Sequence, residues 1–309
     1  MKRLVNINEI SHEEWLIYRK KGITGTDAGA IVGMNPYVSS MHVYQNKISD
    51  DTDQIDNEAM RQGRELEDYV AKRFMEHTGK KVRKAQAIFY NEEHPFMLGN
   101  FDRLVVGENA GLECKTVSPY SADKWKDGKI PLHYQIQCQH YLAVSGCECW
   151  YLAALVFGQN FIVHKIERDE DLINSLIKIE QRFWEDNVLA GILPDPDGSD
   201  TYTDAIARMY ADSRAEKTIE LFGAKQELDR RNEIDELVEK LEREKNEIDQ
   251  KIKLQMQDAA YAEAEGYRIS WVSSQSQRID TKKLKEDDPN IYSKYSKISS
   301  SRRFMVKVA

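Results

Sequence analysis

The stretch Gly111-Leu112-Glu113-Cys114-Lys115-Thr116 decides the reading of this chain. In an extended strand successive side chains point to opposite faces, so Glu113 and Lys115 share one face, about 7 Å apart, and Leu112 and Cys114 share the other. The pattern predicts a strand whose apolar pair enters a core while a carboxylate and an ammonium line the surface of a cleft. Upstream lies Gly99-Asn100-Phe101-Asp102, and a turn between Gly107 and Gly111 separates it from the strand. An Asp, a turn and then Glu-x-Lys can bring two carboxylates and a lysine to one place.

The chain has 309 residues, 31% of them charged, and a net charge of −8. That length bounds it to one large domain or one domain with appendages. No apolar run approaches the roughly 20 residues that span a bilayer. The start Met1-Lys2-Arg3-Leu4-Val5-Asn6 turns polar at once, so neither a membrane span nor a signal peptide is expected. Cys114, Cys138, Cys147 and Cys149 are the only cysteines. They make no disulfide framework and suit a reducing cytoplasm. The acidic sum argues against a generic DNA-coating protein, yet residues 266–309 hold ten Lys/Arg and four Asp/Glu. A metal-dependent enzyme can be acidic overall, because its cations and a local basic groove handle phosphates.

Ser11-His12-Glu13-Glu14 is a capping box and predicts a helix that carries Trp15, Tyr18 and Arg19 and stops at Gly22. Thr24, Thr26 and Asp27 are N-cap residue types ahead of a small-residue helix that ends at Gly33. Asn35-Pro36-Tyr37 is a turn, and a short helix is expected near 39–47. Asp56 or Asn57 caps a long helix to Thr78 with Leu66, Val70 and Phe74 as its apolar stripe and Glu67 beside it. Strands are expected at 85–90, 96–106 and 111–117 as a meander, then a helix from Pro131 to Val144. Two more strands, 150–157 and 161–166, precede a helix that starts at Asp169 and is stopped by Gly191 and Pro194. This order predicts an α/β (α+β) core in residues 1–200. After the turn-rich Asp195–Asp200 comes a charged helical extension, 201–265, with apolar residues near heptad spacing. A small basic segment, 266–309, follows, with strands at 267–272 and 303–308 around a helix near 281–297.

Hydrolysing a phosphodiester takes a water of lowered pKa and a sink for the charge on the leaving oxygen, and divalent ions held by carboxylates supply both. Mg²⁺ takes oxygen ligands and keeps several waters, so two or three carboxylates suffice. Asp102 and Glu113 are the candidate ligands, with the Cys114 backbone carbonyl able to assist. Lys115 can orient or deprotonate the water, or stabilise the pentavalent phosphate. The helix around 134–142 carries Gln135, Gln137 and Gln139 among apolar residues. A core-facing amide needs a partner, which a metal-bound water or a phosphate oxygen would supply. Each feature has a plain structural alternative: a salt-bridge ladder on a strand, a glutamine row on a solvated face, a solvated Glu67.

Residues 22–37 (GITGTDAGAIVGMNPY), Gly63-x-x-x-Glu67, Asp102, Glu113-x-Lys115 and Gln137-x-Gln139 occur in the order and spacing of the YqaJ-type viral recombinases. Over about residues 10–195 the chain resembles phage alkaline exonucleases of the lambda exonuclease group. The resemblance implies a PD-(D/E)XK, restriction-endonuclease-like core, with Phe101 where that motif usually has Pro. It implies Mg²⁺-dependent 5′→3′ degradation of one strand of linear double-stranded DNA, with Mn²⁺ as a substitute and two ions in the site. The surviving 3′ strand would pass to a single-strand annealing protein. By the same resemblance Asp102 and Glu113 are metal ligands and Lys115 is the catalytic lysine. Glu67 supports the metal directly or through water, and Gln137 contacts the metal-site water or the lysine. Arg19 and Thr26 fall where the family holds the 5′ phosphate. Arg offers a bidentate fork, and Thr26, replacing the family's common Ser, sits at a helix start where free N–H groups favour anions. The resemblance also implies a homotrimeric ring around DNA and a phage or prophage protein acting in the bacterial cytoplasm.

Some nucleases of that superfamily carry an iron–sulfur cluster. No Cys-x-x-Cys occurs here, and no cluster is expected. Two further readings remain open: an endonuclease of the same fold, and a non-catalytic factor that binds DNA ends or docks an annealing protein. The complete set Asp102, Glu113 and Lys115 favours the enzyme. The helical extension and basic segment would dock a partner protein or neighbouring subunit, or grip DNA outside the core.

Overall fold

β1 (Lys2–Asn6) precedes α1 (His12–Lys20), which the expected capping box starts. The Ser11 hydroxyl accepts from the Glu14 amide at 3.1 Å, and the Ser11 amide donates to the Glu14 carboxylate at 2.7 Å. β2 (Ile23–Thr24) runs into α2 (Gly25–Ile31), where Thr24 and Asp27 form a second capping box. α3 (Ser40–Ile48) and α4 (Glu58–Thr78) follow; Asn57 caps α4, and Gly79 ends it at φ 72°. The other candidate cap, Asp56, lies outside the residues that this computed structural model describes, which are 1–50, 57–214, 216–298 and 302–307.

β3 (Val82–Lys84), β4 (Ala87–Tyr90), β5 (Met97–Asn100), β6 (Arg103–Val105) and β7 (Ala110–Val117) come next. The single strand expected over 96–106 is in fact two strands in different sheets. The chain breaks at Phe101-Asp102, because the Asp102 carboxylate takes the Cys114 amide at 2.7 Å in place of a strand carbonyl. Phe101 turns inward and stacks on Phe89, ring centroids 5.3 Å apart. β1, β4, β5 and β2 form one sheet in that order. Neither β1 nor β2 has a strand signature of its own: β1 is polar and mostly exposed, and β2 is two residues long.

α5 (Leu132–Ser145) starts after Pro131 and ends at Gly146, φ 71°. β8 (Cys149–Val156) and β9 (Asn160–Glu167) complete a five-stranded sheet of order β3-β6-β7-β8-β9. β7 and β8 are parallel, with Glu113 opposite Leu152 and Lys115 opposite Ala154. Parallel neighbours need a long crossover, and α5 supplies it. α4 packs Val70, Ala71 and Phe74 against Leu112 and Ala153 on one face of the sheet. α5 packs Cys138, Tyr141 and Leu142 with Trp150 and Leu152 on the other. Gly111 has no Cβ because the Trp150 ring occupies that space. The mixed α/β class predicted from element order holds. One expectation changes: Glu113 lies under α5 at 4% exposure, not at the surface of a cleft.

α6 (Glu170–Arg182) continues into a π-helical turn, Phe183–Leu189. α7 (Asp200–Met209) buries Tyr202 and Ala205 in a cluster with Met41, Tyr44 and Phe183. The first compact unit therefore ends at residue 210, beyond the Asp195–Asp200 break, and a second covers 211–309.

In the second unit α8 (Lys225–Met256) is followed by a hairpin, β10 (Tyr261–Ala264) and β11 (Tyr267–Ser270), which turns at Gly266 with φ 78°. The helical extension expected over 201–265, as a helical hairpin or one long helix, is two helices, α7 and α8, separated before Lys225, where Gly223 adopts φ 78°, and it ends at Met256, ahead of the β-hairpin. α9 (Thr281–Asp287) and α10 (Pro289–Tyr295) replace the one helix expected near 281–297. Pro289 has no N–H with which to continue α9. Residues 302–307 form no strand, and residue 308, the end of the strand expected there, lies outside the described residues. On α8, Ile234, Val238, Leu241 and Ile248 are exposed. Among the described residues no helix is long and apolar enough to cross a membrane.

Candidate active site

β7 delivers Glu113 and Lys115 to the face that α5 covers. Glu113 Oε1 accepts from Lys115 Nζ at 2.6 Å and from Gln137 Nε2 at 2.7 Å. Its other oxygen, Oε2, is buried without a hydrogen-bond partner. A buried carboxylate oxygen left bare is costly, and a cation beside it would offset that cost.

Asp102 stands at the break between β5 and β6, anchored through Oδ2 to the Cys114 amide. Burial, then the charges of Glu113 and Glu67, push its carboxyl well above the usual carboxylate range. The N–H and C=O of one strand residue point to the same edge, so the Cys114 carbonyl faces the Asp102 side of β7. Burial disfavours the Lys115 ammonium, but Glu113, Tyr134 and Asp102 more than offset this and raise its pKa above the ordinary lysine value. The ammonium sits 4.8 Å from the centre of the Tyr134 ring.

Glu67, on α4, is ion-paired to the Arg103 guanidinium, whose Nη2 also reaches Asp68 Oδ1 at 2.5 Å. Arg103 is buried and ties α4 to β6. Its signal in the sequence is a cation next to Asp102 with the pair Glu67-Asp68 available on an amphipathic helix, too weak to mark it on spacing alone.

The three glutamines of α5 part ways. Gln135 donates to the Ile130 carbonyl at 3.1 Å, and Gln139 spans the Glu167 carbonyl and the Asp169 amide. Gln137 alone enters the site. It bonds Glu113 rather than Lys115, and donates to the Tyr141 hydroxyl at 3.0 Å. Tyr141 in turn donates to the Asn100 carbonyl at 3.2 Å, and Asn100 Oδ1 accepts from the Trp15 indole at 3.2 Å. Asn100 and Tyr141 were not singled out by the sequence, because nothing in a lone Asn or Tyr reports a partner so distant along the chain.

Through Trp15 this chain of contacts reaches Arg19, whose guanidinium lies 4.4 Å from the Trp15 ring centre. Arg19 Nη2 donates to Thr26 Oγ1 at 3.3 Å and to Thr24 Oγ1 at 3.5 Å. Asp27 Oδ2 accepts from the Thr24 hydroxyl and from Lys47 Nζ, each at 2.7 Å, and Lys47 also donates to the Arg19 carbonyl at 3.0 Å. Burial would raise the Asp27 carboxyl, yet Lys47 and Arg19 hold it below its ordinary value. The structure thus brings Asp102, Glu113, Lys115, Gln137 and Glu67 into one neighbourhood, and Arg19 with Thr26 into a corner joined to it through Trp15 and Asn100.

Among the described residues no three His, Cys, Asp or Glu side chains converge closely enough to hold an ion by themselves. The bare Glu113 oxygen, the Asp102 carboxylate and the Cys114 carbonyl nevertheless make an all-oxygen set. Such a set suits a hard divalent ion that keeps several of its waters.

The family of the YqaJ-like viral recombinase domain matches this chain over residues 14–148. The protein YqaJ of Bacillus subtilis (strain 168) is 40% identical over 308 residues, spanning 98% of this chain and 97% of its own length. Among solved structures, the alkaline exonuclease LHK-Exo of Laribacter hongkongensis is similar at 20% identity with a TM-score of 0.49, covering 64% of this chain and 99% of its own. A phage-related exonuclease of Haemophilus somnus 129PT is similar at 14% identity with a TM-score of 0.43, covering 55% of this chain and 96% of its own. The extent and identity of the YqaJ match place the chain in the YqaJ-like viral recombinase family.

Proposed function

We propose that the chain is a divalent-metal-dependent deoxyribonuclease that resects linear double-stranded DNA 5′→3′ for single-strand-annealing recombination. The observation that carries this reading is the buried, unpartnered Glu113 Oε2 beside Asp102 and Lys115. Mg²⁺, or Mn²⁺ in its place, would be held by Asp102, Glu113 and the Cys114 carbonyl, one ion or two, with Glu67 acting directly or through water. When bound, it supplies an acidified water and a sink for phosphate charge.

The protein's own groups do the rest. Gln137 and Lys115 fix the Glu113 carboxylate by holding Oε1, which leaves Oε2 available to hold an ion. Lys115, kept as an ammonium, orients the attacking water by hydrogen bonding and offsets charge on the phosphate oxygens. Arg19 and Thr26 hold the 5′ phosphate of the end, Arg19 through a guanidinium fixed over Trp15. A homotrimeric ring and an annealing partner for the surviving 3′ strand are carried by the family resemblance.

The experiment is digestion of linear double-stranded DNA, with and without a 5′ phosphate, in Mg²⁺, beside the variant Lys115→Ala. Mononucleotide release that needs the end, the metal and Lys115 is the expected result. Cutting of closed circles would replace it with an endonuclease. No activity in Mg²⁺ or Mn²⁺ would leave a DNA-end-binding factor.

A further inference from the structure

Tyr37 stands 62% exposed in the loop between α2 and α3. Its backbone is held there by Asn35, whose Oδ1 accepts the Tyr37 amide at 2.9 Å, and by Pro36 between them. A large ring presented to water by a rigid turn does not serve the core. It meets the His133 ring edge-on, centroids 6.1 Å apart, and His133 lies 4.0 Å from the Tyr134 ring. Tyr134 is the ring beneath the Lys115 ammonium. Three aromatic rings in successive contact therefore lead from solvent to the lysine of the candidate site.

Lys124 places its ammonium 6.0 Å from the Tyr37 ring centre. Among the described residues its neighbour Lys126 pairs with Asp123, whereas no ion pair engages Lys124. Burial, with the charges of Lys115 and Lys124, lowers the His133 pKa to about 4, so at neutral pH its ring is uncharged.

We propose that Tyr37, His133 and Lys124 form a platform on which unpaired nucleobases flanking the scissile phosphate stack, with Lys124 on the adjoining backbone. Stacking on aromatic rings accepts any base, because every base has a π-face, and a lysine adds salt-dependent attraction to phosphate. Both suit an enzyme that must process a strand regardless of sequence. A purely apolar partner would gain nothing from the lysine. The proposal rests on the nuclease reading and adds to it the residues that hold the frayed strand.

The probe is a duplex with 2-aminopurine at the first, second or third nucleotide from the 5′ end and a fluorophore at the far end, bound in EDTA so that no bond is cut. Wild-type protein is expected to quench 2-aminopurine at one or more of these positions. Tyr37→Ala should lose most of that quenching and weaken binding roughly five-fold or more, with an unchanged Tm. Tyr37→Phe should restore both, and Lys124→Ala should flatten the salt dependence of binding. Wild-type quenching and affinity in Tyr37→Ala would overturn the platform alone. Failure of the wild type to bind the duplex either in EDTA or with Ca²⁺ supplied in its place would overturn the nuclease reading as well.

Discussion

His140 and Glu180 face one another at 2.9 Å with both side chains closed to solvent. The other ring nitrogen of His140 lies 3.0 Å from the Leu98 carbonyl. Both ring nitrogens therefore meet acceptors, and only the imidazolium can donate to both. Burial lowers the His140 pKa, but the Glu180 charge and the two hydrogen bonds outweigh it and leave it above the ordinary 6.5. The folded value exceeds the unfolded one, so the stabilisation is complete below about pH 6.5 and is lost as pH rises through the folded value. A scan of Tm against pH should fall on that alkaline side in the wild type. Glu180→Gln should remove the slope, and Glu180→Ala should destabilise by about 3–5 kcal/mol. A wild-type Tm flat above pH 6.5 would contradict the charged pair.

Lys47, buried, pairs with the partly buried Asp27 at 2.7 Å under the Arg19 corner. Lys47→Met would remove that ion pair, leave the Asp27 carboxylate to Thr24 and Arg19 and cost about 1–3 kcal/mol. Because Asp27 is held below its ordinary value, its contribution is present above about pH 4 and is lost as pH falls through the folded value. Chemical denaturation at pH 7 and pH 3 should show Lys47→Met losing less, relative to wild type, at the lower pH.

A metal that binds the folded site and not the unfolded chain raises stability by mass action, about 2.7 kcal/mol at a hundred times its Kd. Mg²⁺ or Mn²⁺ should raise the Tm of the wild type and of Lys115→Ala, but not that of Glu113→Gln. Chelation should reverse the gain. Equal melting with and without metal in the wild type would remove the metal from the site.

A chain cut after Tyr210 should fold, because the first unit is complete there. A chain cut after Ser199 should melt lower, since it loses Tyr202, whose ring is buried and whose hydroxyl donates to the Pro194 carbonyl at 2.6 Å. Calorimetry of the two truncations separates these outcomes. If the longer one retains nuclease activity and normal assembly, the second unit does not serve docking.

Signals were legible where local physics decides. The capping box at Ser11, the Gly79 and Gly146 stops and the amphipathic stripe of α4 all depend on residues within one or two turns of each other, whereas the sequence offered Thr24, Thr26 and Asp27 alike as caps and only the structure pairs Thr24 with Asp27. The strand break at Phe101-Asp102 was not legible, because it depends on a hydrogen bond to Cys114, across a turn. The helical extent expected to residue 264 stops short for a similar reason: helix-favouring residues continue past Met256, but Tyr261–Ala264 finds a strand partner instead.

The sequence by itself determined that Glu113 and Lys115 share a face, since alternation along a strand is a property of the backbone. It also carried the order of motifs that marks the family. Only the tertiary structure decided that Glu113 is buried with one oxygen bare, that Gln137 alone among three glutamines reaches it, and that Arg103 engages Glu67. Those facts follow from how α4 and α5 sandwich one sheet. A side chain's partners across such a packing are set by distance in space, to which spacing along the chain is blind.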